Sequence, residues 1–178
     1  MTKKDEILIK AARIVNDEGI QKLTMSYLAE KAKLTKGGVL YHFDSKEDIL
    51  LNMNKKFIQE FDDRIDTHIS NLSGPYRYTR AYALATLDYI NDSENILLPA
   101  VFISSHEDSS SKALWEETSN LWDQSFKNDQ GDPDKIFELR MICDGIWFTL
   151  TYKISAFYKE KMEKIINNYI QTLEAEVI

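Results

Sequence analysis

Between Thr24 and Phe43 the sequence sets small hydroxyl residues, a lysine and a pair of glycines where two short helices would begin. The chemistry open to such a set is recognition without bond-making, in which hydroxyl and ammonium groups grip the phosphates and base edges of a duplex. Thr24 can cap a helix carrying Met25, Leu28, Ala29 and Ala32, and after a short break Thr35 can cap another carrying Val39, Leu40 and Phe43. Thr35 and Lys36 then open the second helix, whose first-turn side chains can meet base edges in a major groove about 12 Å wide. Gly37 and Gly38 together cost about 2 kcal/mol relative to Ala inside a helix. Close approach of the backbone to DNA is a reason to keep them. Elsewhere the sequence has no glycine-rich phosphate loop, nucleophile elbow or clustered metal ligands, so an enzyme has little support and no cofactor or metal is expected.

Helices this short need partners. The two can pack through Leu28, Ala32, Leu34 and Val39, with small Ala29 at their closest approach, as in a helix-turn-helix. Before them, Ile7, Ala11 and Ile14 with Leu8, Ala12 and Val15 predict an amphipathic helix over residues 4–18, stopped by Gly19. After them, Ser45 with Glu47 and Asp48 opens a longer helix through Ile49, Met53, Phe57, Phe61 and Ile65. Further helices are expected at about 75–90, 94–106, 111–127, 133–154 and 157–176, with Pro75 in a first turn and Pro99 kinking the helix that holds it. The expected fold class is all-α, with about nine helices. A small N-terminal module of three helices occupies residues 1–46 and a larger helical body residues 47–178.

The charge is divided in the same way. The 178 residues hold 22 Lys and Arg against 29 Asp and Glu, a net −7 that speaks against a protein whose whole surface binds nucleic acid. Residues 1–46, however, are net +3 and residues 47–178 net −10. That is the pattern of a basic contact module on an acidic body. With 6 Gly and 3 Pro there are few positions for the turns of a sheet. The single cysteine, Cys143, lies in an apolar run and reads as a small buried hydrophobe in a reducing cytoplasm. No stretch approaches the roughly 18 apolar residues of a membrane span, so a cytoplasmic protein without a membrane partner is expected.

Three runs carry a family resemblance: Leu23-Thr24-Met25-Ser26-Tyr27-Leu28-Ala29-Glu30-Lys31-Ala32, Leu34-Thr35-Lys36-Gly37-Gly38-Val39-Leu40-Tyr41-His42-Phe43 and Ser45-Lys46-Glu47-Asp48-Ile49-Leu50. Over residues 5–50 the chain resembles the TetR family of transcriptional regulators. The resemblance implies a homodimeric repressor that binds a palindromic operator and is released by a small-molecule effector. Residues 1–46 would be the helix-turn-helix DNA-binding domain and residues 47–178 the effector-binding and dimerisation domain. It adds Tyr41 and His42 as a pair on the phosphate backbone, Lys46 as the lysine that meets phosphate at the start of the fourth helix, and the Thr24 and Ser26 hydroxyls at the start of the second. The alternative for Tyr41 is half-buried packing. One departure stands out: the family usually has Gly in the turn where this chain has Lys33. If positive φ is needed there, the lysine costs on the order of 1 kcal/mol and adds a cation on the DNA side.

In the body, apolar residues from Ile136 to Phe157 cover more than one helix face. With the last helix they suit a dimer interface that includes Ile142, Ile146, Leu150, Ile166, Tyr169, Ile170 and Leu173; the alternative is purely intramolecular core. Asp144 beside Gly145 needs a partner, and Arg140 one turn earlier is the obvious one. Aromatic residues are concentrated here, and the resemblance places an effector pocket among them, with Tyr82, Phe102, Trp115, Trp122, Trp147 and Phe148 as candidates. Acids such as Glu107, Asp108, Glu116 and Glu117 beside these rings would favour a cationic effector. The reading from a different class is a helix-turn-helix adaptor controlled by a protein partner, with no small-molecule pocket.

Overall fold

The computed structural model describes residues 2–92, 96–105, 107, 109–151 and 156–175. Among them the chain forms nine α-helices and one 3-10 turn, with no strand. Helix α1 (Lys3–Glu18) opens on a capping box, in which the Thr2 side chain accepts from the Asp5 N–H while the Asp5 carboxylate accepts from the Thr2 N–H. Gly19 ends it at φ 90°, its N–H returning to the Val15 carbonyl. After the 3-10 turn (Ile20–Lys22) come α2 (Met25–Ala32), α3 (Lys36–Leu40), α4 (Lys46–Asn71), α5 (Arg77–Asn91), α6 (Leu97–Ser104), α7 (Ser109–Asn128), α8 (Pro133–Leu150) and α9 (Ala156–Ala175).

The chain divides into two compact units. The first comprises Met1–Gln59 and Ile96–Glu117. Its core is built by Ile7, Ala11, Leu28, Val39, Phe43, Ile49 and Met53, all at most 1% exposed, so the short helices α2 and α3 gain through packing the stability that length denies them. Helix α1 packs on α2 and on α6, and the Asn16 amide donates to the Ile96 carbonyl at 2.8 Å. A buried polar node ties three helices: the Asn54 amide donates to the Leu50 carbonyl and to Ser104 Oγ, and its oxygen accepts from Trp115 Nε1 at 2.7 Å.

The second unit comprises Glu60–Asn95 and Thr118–Ile178. Helices α5, α8 and α9 pack together, and rings from α5, α7 and α8 gather on one residue of α4. Phe61 is fully buried and meets Tyr82, Tyr89, Trp122 and Trp147 with centroids 4.4–5.9 Å apart, all edge-on, the arrangement the aromatic quadrupole favours. One corner depends on a glycine. Tyr76 sits in the left-handed region at φ 56°, and a Cβ at Gly131, itself at φ 138°, would come within 2.2 Å of the Tyr76 ring. Asp129 caps α5 there, accepting from the N–H and the hydroxyl of Thr79 at 2.8 and 2.7 Å.

Pro99 and Pro75 both sit differently from the expectation. Helix α6 starts at Leu97, so Pro99 lies in its first turn, where the missing N–H removes no helical bond and no kink is needed. Pro75 precedes α5, because Tyr76 in its left-handed conformation holds the N-cap position. The expected continuation of α8 to residue 154, and Asp108, lie outside the described residues.

Candidate nucleic-acid interface

Helix α2 is capped by Thr24, which accepts from the Tyr27 N–H at 3.2 Å, and α3 by Thr35, which accepts from the Gly38 N–H at 3.0 Å. Both hydroxyls therefore hold helix starts and remain exposed, as does Ser26. Between the helices Lys33 adopts φ 55° and ψ 43°, the left-handed conformation in which a side chain is penalised. The Leu34 N–H reaches back to the Ala29 carbonyl at 2.9 Å and closes the turn.

The outward side of α3 is polar and bare. Thr35, Lys36 and Gly37 are exposed, Gly38 and His42 half-buried, and Tyr41 stands 84% exposed with its ring edge-on to His42 at 5.0 Å. The packing alternative for Tyr41 does not match that exposure. A Cβ on Gly37 would meet nothing closer than Thr35 Oγ1 at 3.9 Å, and one on Gly38 would lie 3.4 Å from the same atom. Packing inside the chain does not require glycine at 37. Lys46 is half-buried, and its ammonium donates to the Ile20 carbonyl at 2.8 Å. The structure thus brings Thr35, Lys36, Gly37, Gly38, Tyr41 and His42 onto one short helix and its end, and gives Lys46 an internal acceptor.

The six aromatic candidates of the body divide. Tyr82, Trp122 and Trp147 converge on Phe61, which the sequence reading treated as an ordinary core position. Phe148 is 53% exposed on α8. Phe102, 39% exposed, and Trp115, which packs 6.1 Å from Phe57, belong to the first unit. Glu107, Glu116 and Glu117 are exposed. The carboxylates that do reach the rings are Asp62, which accepts from Trp122 Nε1 at 2.9 Å, and Asp144, which accepts from the Tyr82 hydroxyl at 3.1 Å. Burial raises the pKa of both. Arg140 pairs with Asp144 at 3.5 Å as expected, and also with Asp123. Burial also pushes the Cys143 thiol up to about 12 and holds the Tyr82 phenol well above its ordinary value.

Of the seven residues expected at a dimer face, Ile146, Ile166, Ile170 and Leu173 are at most 7% exposed within the chain itself. Ile142, Leu150 and Tyr169 are half-buried, and the Tyr169 hydroxyl donates to the Glu138 carboxylate. The face that α8 leaves open runs through Phe137, Met141, Gly145 and Phe148, one helical stripe with the three side chains 42–60% exposed. A Cβ on Gly145 would find nothing within 4 Å. The stripe's spacing of four, four and three residues is that of one helix face, but α8 is apolar on several faces and periodicity does not say which one is covered.

A three-helix head with an exposed, capped second helix, followed by a larger helical bundle, defines the class of helix-turn-helix DNA-binding transcriptional regulators. Residues 7–53 match the family model for bacterial regulatory proteins of the tetR family, and residues 76–174 that for the tetracyclin repressor-like C-terminal domain. The chain belongs to the TetR family. Its fold is shared with the ketosteroid transcriptional regulator KstR2 of Mycobacterium tuberculosis (TM-score 0.69, 14% identity, covering 96% of this chain and 94% of that one). It is also shared with AibR solved with isovaleryl coenzyme A and operator DNA (0.62, 17%, 93% and 96%) and with the multidrug binding protein EbrR complexed with imidazole (0.59, 16%, 95% and 95%). No curated protein matches the sequence. No helix among the described residues is long and apolar enough to cross a membrane.

Proposed function

We propose that this TetR-family chain is a homodimeric, cytoplasmic repressor that reads a palindromic operator and is released by a small-molecule effector. In this reading residues 1–46 are the DNA-binding domain, 47–178 carry effector binding and dimerisation, and the protein is a regulator rather than an enzyme. The observation that carries the DNA assignment is Gly37, an exposed glycine inside a helix with no internal neighbour that needs it. It costs about 1 kcal/mol relative to Ala, and a duplex backbone lying against α3 supplies the reason. Thr35 and Lys36 then face base edges, while Tyr41, His42 and the Thr24 and Ser26 hydroxyls engage phosphates.

One short helix gives too few contacts for specific binding, which argues for a two-fold dimer on two half-sites. The open stripe Phe137, Met141, Gly145 and Phe148 is the surface we assign to the second copy. AibR was solved with an acyl coenzyme A together with its operator, and EbrR is a multidrug binding protein; both support an effector site in the body, with Tyr82, Trp122 and Trp147 of the second unit its leading residues. The second reading, an adaptor controlled by a protein, is favoured by one observation: the rings of the leading residues are already engaged with Phe61, edge to face.

The test starts from the duplex that the wild-type protein recovers from a random-sequence pool. Lys36→Ala combined with Tyr41→Ala abolishes binding to that duplex with an unchanged circular dichroism spectrum, whereas gel-shift affinity retained by the folded double variant refutes the assignment. Compounds screened for release of the same duplex separate the two readings of the body.

A further inference from the structure

The first unit spends several of its cations internally. Lys3 pairs with Glu6 at 2.8 Å, Lys31 with Glu18 at 3.7 Å while lying over the Tyr27 ring, Lys56 with Asp5 at 3.0 Å, and Lys46 donates to the Ile20 carbonyl. Lys4 lies over the Phe43 ring at 5.1 Å. Lys33 and Lys36, like Arg13, Lys22 and Lys55, are exposed, and none of the five has a side-chain hydrogen bond, ion pair or ring contact among the described residues.

Lys33 is the strained member of this set. Its φ of 55° is the conformation that glycine adopts without penalty, and the turn is closed by backbone groups alone, the Lys33 and Leu34 N–H groups reaching carbonyls of Ala29 and Glu30. The side chain therefore contributes nothing visible to the turn it strains. A non-glycine residue held in that region calls for a local function. Two residues of chain span at most about 7 Å, so the Lys33 backbone lies that close to Thr35, and its long side chain can reach a phosphate bordering the groove that α3 would enter. A lysine is a point charge suited to phosphate rather than to bidentate base reading.

We propose that Lys33 is a phosphate-binding residue of the DNA interface, retained in a conformation that favours glycine because its ammonium adds one contact per subunit. The proposal rests on the DNA-binding reading above. Release of condensed counterions by that contact steepens the salt dependence of binding independently of sequence.

The experiment measures affinity of the full chain for the duplex selected by the wild-type protein, between 0.05 and 0.3 M salt, with thermal unfolding alongside. Lys33→Gly raises the melting temperature by relieving the strain, yet weakens binding about 10- to 30-fold and flattens the plot of log affinity against log salt by about 2 for a dimer. Lys33→Gln keeps the strain and loses the same affinity and slope. A Lys33→Gly protein that is more stable but binds with unchanged slope overturns the proposal. Lys36→Ala reports on the reading beneath it: lost affinity there with none lost in the Lys33 variants overturns the Lys33 assignment alone, and no loss in any of the three overturns the DNA surface as a whole.

Discussion

The Lys46 ammonium, at the start of α4, donates to the carbonyl of Ile20 in the 3-10 turn between α1 and α2, at 2.8 Å. The contact spans 26 residues of sequence and braces the linker that delivers the chain to the cap of α2. A lysine at this position resembles a phosphate ligand when read along the sequence; in three dimensions one of its donors has an acceptor within the chain.

This brace has a measurable consequence. Lys46→Met removes a hydrogen bond from a charged donor to a half-buried carbonyl and lowers stability by about 1.5–3 kcal/mol, read from urea unfolding. The salt dependence of DNA binding stays as in the wild type. A flattened slope with unchanged stability would show that Lys46 spends its charge on phosphate instead.

Phe61 is the shared neighbour of four rings, so truncating it leaves all four without their common partner. Phe61→Ala costs about 3–5 kcal/mol through lost transfer energy and a residual cavity, and Phe61→Leu clearly less. Equal losses for the two variants in denaturant titrations would mean that ring geometry, rather than filled volume, holds the cluster.

The α8 stripe predicts a separation between folding and assembly. Met141→Asp changes an exposed position, where substitutions alter protomer stability by about 0.5 kcal/mol or less, but places a charge in the proposed contact. Sedimentation should then find a folded monomer where the wild type is a dimer. A variant that sediments as a dimer at micromolar concentration removes α8 from the interface.

Asp5 gives the clearest pH dependence. Backbone and side-chain hydrogen bonds from Thr2, with a smaller contribution from Lys56, hold its carboxyl at about 2, below the ordinary value of about 3.9. Because the folded-state value is depressed, its contribution to stability is complete above about pH 4 and is lost as pH falls through 2. Asp5 is half-buried at the start of α1 and still reaches solvent, which screens the contribution and keeps it modest. Carbon-detected titration of Thr2→Ala, which removes the hydroxyl bond and keeps the backbone N–H bond, should find the Asp5 pKa moved part of the way up toward the ordinary value; an unmoved midpoint would leave the backbone N–H and Lys56 as the causes.

Much of this was legible in residue types and spacing. Helix existence followed from apolar periodicity, and the caps at Thr24 and Thr35 from the preference of hydroxyls for helix starts, because both signals are local. The positive φ at Lys33 was foreshadowed only as a condition, by the glycine that the resembling family usually has there. What failed was choice among equivalents. Ile146 and Met141 lie five residues apart on one apolar helix, and only the packing of α5 and α9 decides that the first is buried and the second exposed. Phe61 looked like one more core position because its role arises from four rings that arrive from distant parts of the chain. The Lys46 brace was hidden for the same reason, since its acceptor is a backbone carbonyl that no sequence pattern marks.

Cys143 lies on α8, fully shielded from solvent, with its thiol pushed up to about 12 by burial. At neutral pH the sulfur is therefore both inaccessible and almost entirely protonated, and an alkylating reagent reaches a reactive thiolate only while this part of α8 is open. As the chain contains no other cysteine, each labelled molecule records one opening of this helical layer, and the labelling rate, followed with and without a bound ligand or DNA, is a clock for breathing of the body in the unmodified protein.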